Sequence, residues 1–104
     1  MTPEKRLMNE IRLYCATKGW IVFRTNVGRV MTIDGTYFDT GLPKGFPDMF
    51  VLTDNGKAIF VETKIHPRKP TKQQREMIEL LKLKKFIAFV CYSLEEFIEN
   101  TRFA

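Results

Sequence analysis

The chain has 104 residues, of which 44% are hydrophobic and 28% are charged. This length suits one domain with its own core, and the composition excludes a disordered chain. Seventeen Lys and Arg against twelve Asp and Glu give a net charge of +5, which favours an anionic partner such as nucleic acid. We therefore expect residues 1–104 to form a single folded domain.

The N-terminal half is predicted to contain a helix, a strand and a less regular hairpin. Apolar residues from Leu7 to Cys15 recur at helical spacing, which predicts an amphipathic helix over residues 3–18. Residues 20–25 are aromatic and β-branched and indicate a strand. Asp34-Gly35 is typical of a two-residue hairpin turn, although either flanking arm, 30–33 or 36–38, could equally be irregular loop.

The central part of the chain gives the clearest β pattern. Residues 41–47 hold two Pro and two Gly, which excludes a regular element there. Residues 48–53 and 57–64 are then predicted to form two antiparallel strands joined by the turn at Asp54 to Gly56.

The C-terminal part returns to helical spacing. Residues 71–85 predict a second helix that begins with a capping box of Thr71 and Gln74. Residues 86–91 form a continuous apolar run, typical of a strand that is buried on both faces. Ser93 and Glu96 predict another capping box before a short last helix. The order of elements predicts an α/β sandwich around a mixed central sheet.

The cysteines and the apolar segments also exclude several classes of protein. Cys15 and Cys91 lie far apart within apolar runs, where a free thiol behaves as a small hydrophobic residue. No CxxC pair is present, which excludes a zinc ribbon or an iron–sulfur cluster. There is no apolar leader and no run near the ~20 apolar residues of a membrane span. We therefore expect an intracellular, cytoplasmic protein.

Three polar residues interrupt the predicted central hairpin. Glu62 and Lys64 share a face of their strand because side chains two apart point the same way. Antiparallel pairing brings Asp48 opposite Glu62, since each lies seven residues from Asn55. Two such carboxylates repel each other unless one is protonated or a cation lies between them. This predicts a Mg²⁺ or Mn²⁺ site with Asp48, Glu62 and the backbone carbonyl of Thr63 as ligands.

The expected chemistry is hydrolysis of DNA phosphodiesters. A divalent ion at this place would polarise the phosphoryl oxygen and lower the pKa of a bound water. The ammonium of Lys64 would orient the attacking hydroxide and offset the negative charge that grows in the transition state.

These residues match a known pattern. Phe46-Pro47-Asp48 and Glu62-Thr63-Lys64 on neighbouring strands resemble the signature of the PD-(D/E)xK nucleases. More narrowly, nearly the whole chain resembles a stand-alone VRR-NUC domain, the virus-type replication and repair nuclease module. The other matching segments are the Glu-bearing first helix, Gly19-Trp20 leading to Arg24-Thr25-Asn26, Lys44-Gly45 before the first motif, and Gln74. His66-Pro67 departs from the pattern.

The resemblance implies a restriction-endonuclease-like α/β sandwich with an αβββαβα core. It further implies dependence on Mg²⁺ or Mn²⁺ and action on structured DNA, such as Holliday junctions or flaps, in replication, recombination or repair. It also implies a carboxylate on the first helix, for which Glu4 fits better than Glu10 because Glu4 shares the apolar face. Glu4 could equally be a first-turn residue stabilised by the helix dipole. Gln74 would reach the catalytic pocket, although its capping role explains it nearly as well.

Polar and basic residues around these motifs are candidates for contact with DNA phosphates. They are Arg24, Asn26, Arg29, Lys44, His66, Arg68, Lys69, Lys72 and Arg75. About half of them could be ordinary solvated charges, and His66 could instead act as a general base. Cutting two strands symmetrically requires two active sites, so we also expect a homodimer. The alternatives are a catalytically silent DNA-binding module of the same fold and a protein-interaction domain.

Overall fold

The computed structural model describes the backbone of residues 1–104 and every side chain except those of Arg29, Val30 and Phe38. The elements are α1 (Pro3–Thr17), β1 (Ile21–Arg24), β2 (Arg29–Met31), β3 (Tyr37–Asp39), β4 (Met49–Leu52), β5 (Ala58–Thr63), α2 (Lys72–Leu83), β6 (Ile87–Cys91) and α3 (Leu94–Asn100). No helix in this described part of the chain is long and apolar enough to cross a membrane.

The main sheet has the strand order β1-β4-β5-β6. The β1–β4 and β4–β5 pairs are antiparallel and the β5–β6 pair is parallel, so the sheet is mixed. Helices α1 and α3 pack on one face, and α2 packs on the other face over β5 and β6. The predicted α/β sandwich with an αβββαβα core is therefore confirmed, with β2 and β3 as an addition to it.

The core lies between the sheet and the pair α1 and α3. Alternate strand residues such as Met49, Val51, Ile59 and Val61 are fully buried there, as the pleat of a strand requires. Helix α1 contributes the predicted apolar stripe, Leu7, Met8, Ile11 and Cys15. Cys15 and Cys91 are both buried free thiols, and burial raises the pKa of each to about 11. Their predicted role as core residues is confirmed.

Helix α1 begins where the sequence predicts. The hydroxyl of Thr2 accepts a hydrogen bond from the amide of Lys5 at 3.2 Å, and Pro3 occupies the first turn. Gly19 follows the helix with a φ of 74°, a left-handed conformation that glycine adopts without steric strain. The chain therefore reverses at once into β1.

The segment between β1 and β4 forms a separate two-stranded ladder, β2 with β3. The amide of Thr32 donates to the carbonyl of Thr36 at 2.7 Å, and the amide of Gly35 donates to the carbonyl of Thr32 at 3.0 Å. The turn therefore spans three residues between this pair, and the predicted two-residue turn is wrong. The Asp34 carboxylate explains the difference because it accepts hydrogen bonds from the Thr32 hydroxyl and from Thr36.

The C-terminal half follows the prediction except for the capping box at Ser93. Strand β6 has buried residues on both faces, Ala88 on one and Phe89 and Cys91 on the other, as expected, although Phe86 before it is exposed. In α2 the apolar residues Leu80 and Leu83 are exposed, because the helix buries only the side around Ile78. The side chain of Glu96 accepts a hydrogen bond from the amide of Tyr92 rather than from Ser93. Only half of that predicted capping box is present.

The loop before β4 is packed against the start of α2. Gly45 has a φ of 95°, and a Cβ at this position would lie 2.8 Å from the backbone carbonyl carbon and oxygen of Gln73. Gly41 in the same loop also has a positive φ, but a Cβ there would meet open space. Only glycine therefore allows the close approach at position 45.

We expect Gly45→Ala to lower the free energy of unfolding by about 2–4 kcal/mol, because left-handed strain adds to overpacking against immovable backbone. Gly41→Ala is the matched control, and its strain alone should lower the stability by about 1 kcal/mol. Urea denaturation of the three proteins measures both effects. Equal losses for the two variants would show that the contact with Gln73 is not tight.

Candidate active site

The site lies at the end of the sheet where β4 begins and β5 ends. Thr25, which follows β1, fixes the approach to β4: its amide donates to the Asp48 carbonyl at 3.1 Å and its hydroxyl donates to the Pro47 carbonyl at 2.7 Å. Thr25 is itself buried. The backbone that carries Asp48 is therefore held from both neighbouring strands, by Thr25 on one side and by β5 on the other.

Asp48 is oriented by Thr63. The Asp48 carboxylate accepts a hydrogen bond from the Thr63 hydroxyl at 2.9 Å and longer ones from the Thr63 amide at 3.3 and 3.4 Å. Thr63 is fully buried, so both donors have fixed positions. This contact holds the Asp48 side chain against β5.

Glu62 is a buried carboxylate with only 4% of its surface exposed. Its Oε2 atom accepts a hydrogen bond from Nε2 of Gln74 at 3.2 Å and lies 3.7 Å from Nζ of Lys64. The β4–β5 register pairs Met49 with Val61, which places Asp48 opposite Glu62 one position further on. The two carboxylates therefore come from opposing positions of one antiparallel pair.

Both carboxyl groups bind protons more tightly than usual. Burial is the main cause that raises the pKa of Asp48 to about 6, against the hydrogen bonds from Thr63, while the charge of Glu4 raises it further. Burial is also the main cause that raises the pKa of Glu62 to about 8, followed by repulsion from Asp48. Lys64 opposes both shifts. The two acids therefore interact electrostatically, and one cation does not neutralise them.

The first helix brings a third carboxylate toward the pair. Glu4 in the first turn of α1 is partly buried and acts on the pKa of both Asp48 and Glu62, whereas Glu10 is exposed to solvent. Glu4 and Lys64 also line a cleft of about 360 Å³ together with His66 and Arg68. The structure thus gathers Glu4, and not Glu10, at the site.

Gln74 has two roles at once. Its Oε1 atom accepts a hydrogen bond from the Thr71 amide at 2.9 Å, which completes the predicted capping box, while Nε2 donates to Glu62. The two roles that the sequence left as alternatives are thus compatible. The cap places the start of α2 against the carboxylate.

The backbone carbonyl of Thr63 is a third oxygen at this place. Continuing the β4–β5 register places Pro47 opposite Thr63, and proline has no amide hydrogen. The Thr63 amide already bonds the Asp48 side chain instead of the neighbouring strand. The Thr63 carbonyl therefore receives no hydrogen bond from the residue opposite it.

The basic residues predicted to contact DNA are spread over several surfaces. His66 and Arg68 line the cleft beside Glu4, and the His66 ring stacks on Tyr92 at 4.1 Å. Arg75 instead donates to the Pro70 carbonyl, and Lys72 pairs with Glu76 on the surface of α2. The remaining candidates with described side chains, Arg24, Asn26, Lys44 and Lys69, are exposed, and the side chain of Arg29 lies outside the described ones.

Two cations beside this site were not found by sequence reasoning. Lys5 and Arg12 of α1 line a small pocket together with Arg24 of β1. Their spacing on the outer side of an amphipathic helix was the available signal, but it also describes any solvated helix face. Only the packing of α1 on β1 shows that Lys5 and Arg12 lie near Arg24 and differ from an ordinary solvated face.

The oxygen donors at this end of the sheet suit a divalent cation. The described side chains contain no cluster of three or more Asp, Glu, His or Cys suited to one ion. Two carboxylates with unusually high proton affinity and one backbone carbonyl are nevertheless hard oxygen donors, and Mg²⁺ commonly keeps several waters beside one or two carboxylates. The residues present therefore fit such an ion with its coordination completed by water and phosphate.

The raised pKa values predict how stability depends on pH in the metal-free protein. A carboxyl group whose pKa is higher in the folded state than in the unfolded state stabilises the fold when it is protonated. This stabilisation is complete below the pKa of the unfolded state and is lost as pH rises through the pKa of the folded state. The window runs from about pH 4 to 8, because the ordinary values are 3.8 and 4.5 and the folded ones about 6 and 8.

We expect the free energy of unfolding of the wild type to fall by a few kcal/mol across this window, since one pKa unit corresponds to about 1.4 kcal/mol. In Glu62→Gln the free energy of unfolding should no longer fall in the upper part of this pH window. The variant should therefore be more stable than the wild type at pH 8. Urea denaturation in EDTA between pH 5 and 8.5 measures the difference. A difference between the two proteins that does not vary with pH would contradict the assignment of the Glu62 pKa.

Comparison with known proteins places this geometry in a family. The family model of the VRR-NUC domain matches residues 35–95, which include β4, β5, α2 and β6. A solved structure described as a VRR_NUC domain superposes with a TM-score of 0.72 at 21% identity, over 99% of this chain and 98% of that one, and so supports the fold. No curated protein matches the chain significantly. The chain belongs to the VRR-NUC family, whose members are nuclease domains of the PD-(D/E)XK type.

Proposed function

We propose that this protein is an endonuclease that hydrolyses DNA phosphodiester bonds with the help of Mg²⁺ or Mn²⁺. The observation that carries the proposal is the pair of opposed carboxylates, the partly buried Asp48 and the buried Glu62: burial raises the pKa of both, and the charge of Asp48 raises that of Glu62 further. A buried acidic pair without enough neutralising charge favours a bound cation.

Asp48, Glu62 and the Thr63 carbonyl are the proposed ligands. When bound, a divalent cation supplies Lewis acidity toward a phosphoryl oxygen and makes water more acidic. The protein keeps these ligands in place by hydrogen bonds. The Thr63 hydroxyl donates to the Asp48 carboxylate at 2.9 Å, and Nε2 of Gln74 donates to the Glu62 carboxylate at 3.2 Å. Both acids can therefore lose their protons without changing position.

Lys64 is the proposed electrostatic partner of the reaction. Its ammonium lies 3.7 Å from Glu62 on the same strand face and also lines the cleft beside Glu4. A phosphodiester gains negative charge in the transition state of hydrolysis, and a fixed cation at this edge stabilises that charge more than it stabilises the substrate. Glu4 lines the same cleft and is the proposed third carboxylate of the site.

DNA contact is proposed for the basic residues that border this cleft. His66 and Arg68 line it directly, and Arg24 lines a second pocket with Lys5 and Arg12 of α1. Further from the cleft, the candidates for phosphate contact are Asn26, Arg29, Lys44, Lys69, Lys72 and Arg75.

The proposal includes a preference for branched DNA, such as junctions or flaps. It also includes a homodimer, which symmetric cutting of two strands needs.

The test is cleavage of a matched panel of four-way junction, flapped and linear duplex DNA with Mg²⁺ or Mn²⁺. We expect the wild type to cut, with faster cleavage of branched than of linear DNA. Asp48→Asn and Glu62→Gln should reduce cleavage to background, and Lys64→Ala should reduce the rate by about 10²–10³, as for loss of one transition-state contact. Glu95→Gln, an exposed acid in α3, is the control that should retain full activity.

A readout that does not depend on activity accompanies this assay. Mn²⁺ should raise the melting temperature of the wild type, and the increase should disappear in Asp48→Asn. DNA binding without cleavage by the wild type, at every metal tested, would instead support a silent DNA-binding module. Absence of salt-dependent DNA binding would support a protein-interaction domain.

The helix-borne carboxylate has its own matched pair of variants. Glu4→Gln should lower the cleavage rate at least tenfold, because Glu4 lies at the cleft and acts on both acids. Glu10→Gln, on an exposed position of the same helix, should leave the rate unchanged. Equal rates for the two variants would assign Glu4 to the helix dipole alone.

A further inference from the structure

The loop that follows β5, residues 64–70, is held at its start and in its middle. The Lys64 amide donates to the Cys91 carbonyl at 2.9 Å, which extends the pairing of β5 with β6 by one residue. Tyr92, the residue after β6, holds the middle of the loop because its hydroxyl donates to the Arg68 carbonyl at 2.9 Å. The loop is therefore a fixed wall of the cleft that it borders.

Tyr92 also fixes the side chain of His66. The two rings stack with their centroids 4.1 Å apart and their planes at 14° to each other. His66 is exposed and lines the cleft together with Lys64 and Arg68. The stack occupies one face of the imidazole, so the surface that His66 presents to the cleft is the opposite face and the ring edge. A flat aromatic surface in a fixed position is the kind of group on which nucleic-acid bases stack.

The other walls of the cleft suit a single nucleotide. Pro3, Ile65 and Pro67 are apolar, and Lys64 and Arg68 place two cations beside them. A nucleotide has the same two parts, a flat base with apolar faces and an anionic phosphate. The cleft volume of about 360 Å³ is near the lower end of the range for small-molecule sites, about 300–1,000 Å³. A base inside a duplex does not enter such a space, because its pairing and stacking hold it in the helix.

The cleft adjoins the proposed reaction centre. Nζ of Lys64 lies 3.7 Å from Oε2 of Glu62, and Glu4 lines the cleft as well. His66 is two residues beyond Lys64, so their Cα atoms are at most about 7 Å apart. A nucleotide whose base stacks on His66 is therefore close, along its strand, to the phosphate that would be cut.

We propose that the cleft binds an unpaired base of the DNA, which stacks on His66, and that Tyr92 is the positioning residue that holds the His66 ring for this contact. The inference rests on the proposed nuclease function and names the feature of the substrate that the site recognises. Branched DNA offers unpaired bases where its strands separate, whereas a linear duplex must first release a base from the stack. The preference for branched DNA thus has a physical origin in one stacking contact.

The first test compares two bulged duplexes that differ only in the unpaired position, which holds adenine in one and an abasic residue in the other. Fluorescence anisotropy in EDTA measures both dissociation constants, so the result does not depend on cleavage. The wild type should bind the adenine bulge about 5–100-fold more tightly than the abasic bulge, as for one base–aromatic stack. His66→Ala should lose this preference, and His66→Phe, which restores a ring, should keep it.

An exposed aromatic residue away from the cleft provides the matched control. Phe103 is 89% exposed, and its carbonyl accepts a hydrogen bond from Lys57, which precedes β5, whereas Glu62 lies near the end of that strand. Phe103→Ala should keep the full preference for the adenine bulge. Because His66 and Phe103 are both exposed, neither substitution disturbs the core.

The second test measures the role of Tyr92 with the same two duplexes. Tyr92→Phe keeps the ring and removes only the hydrogen bond to Arg68, so it should keep the preference for the adenine bulge. Tyr92→Leu removes the ring and should reduce the preference toward that of His66→Ala. A merely structural role for Tyr92 would instead change the affinity for both duplexes by the same factor and leave their ratio unchanged.

The inference is wrong if the wild type binds the two bulged duplexes equally or binds neither of them. It is also wrong if His66→Ala weakens the binding of both duplexes by the same factor, because the side chain then contacts the DNA backbone. Failure of the nuclease function is a separate outcome. A wild type that prefers the adenine bulge but cuts no DNA with Mg²⁺ or Mn²⁺ keeps the base site and loses the proposed chemistry.

Discussion

The repulsion between Asp48 and Glu62 is the constraint around which the rest of the site is built. Burial removes hydration from both carboxylates and raises the pKa of each, and the charge of Asp48 raises the pKa of Glu62 further. The surrounding residues reduce this cost without removing it: Thr63 donates to one acid, while Gln74 and Lys64 serve the other. The chain therefore holds a local electrostatic strain that a cation relieves.

The register of the β4–β5 hairpin places Asp48 and Glu62 opposite each other. A shift of β5 by one residue would move Glu62 and Lys64 to the other face of the sheet and place Val61 and Thr63 among the polar groups. The buried side chains of Ile59 and Val61 oppose such a shift, because both would leave the core and Met49 and Val51 of β4 would lose them as neighbours. The same apolar residues that hold the fold together thus keep the two acids opposite each other.

Much of this could be predicted from the sequence because it depends on local periodicity. The opposition of Asp48 and Glu62 follows from their equal distance to Asn55, and the choice of Glu4 over Glu10 follows from helical angle, although its role in catalysis remains a prediction. The dual role of Gln74 was not predictable, since capping and site contact use different atoms of one side chain. Only the position of α2 over the sheet shows that both are possible.

The exposed apolar residues escaped prediction for a related reason. Periodicity shows which side chains share a face, but it does not show how much of that face a neighbouring helix covers. Leu80 and Leu83 of α2 line an open groove beside the edge strand β6, and Phe23 lies on β1, two strands away from the β5 on which α2 packs.

The position of α2 connects the site to this uncovered surface. The close contact of Gly45 with Gln73 and the hydrogen bond from Gln74 to Glu62 hold the start of α2 over β5. A helix of 12 residues is about 18 Å long, and from that position it lies along β5 and β6 and leaves β1 open. Moving α2 to cover Phe23 would take Gln74 away from Glu62. The contact that orders the acidic pair therefore also leaves an apolar patch that the fold cannot cover from within.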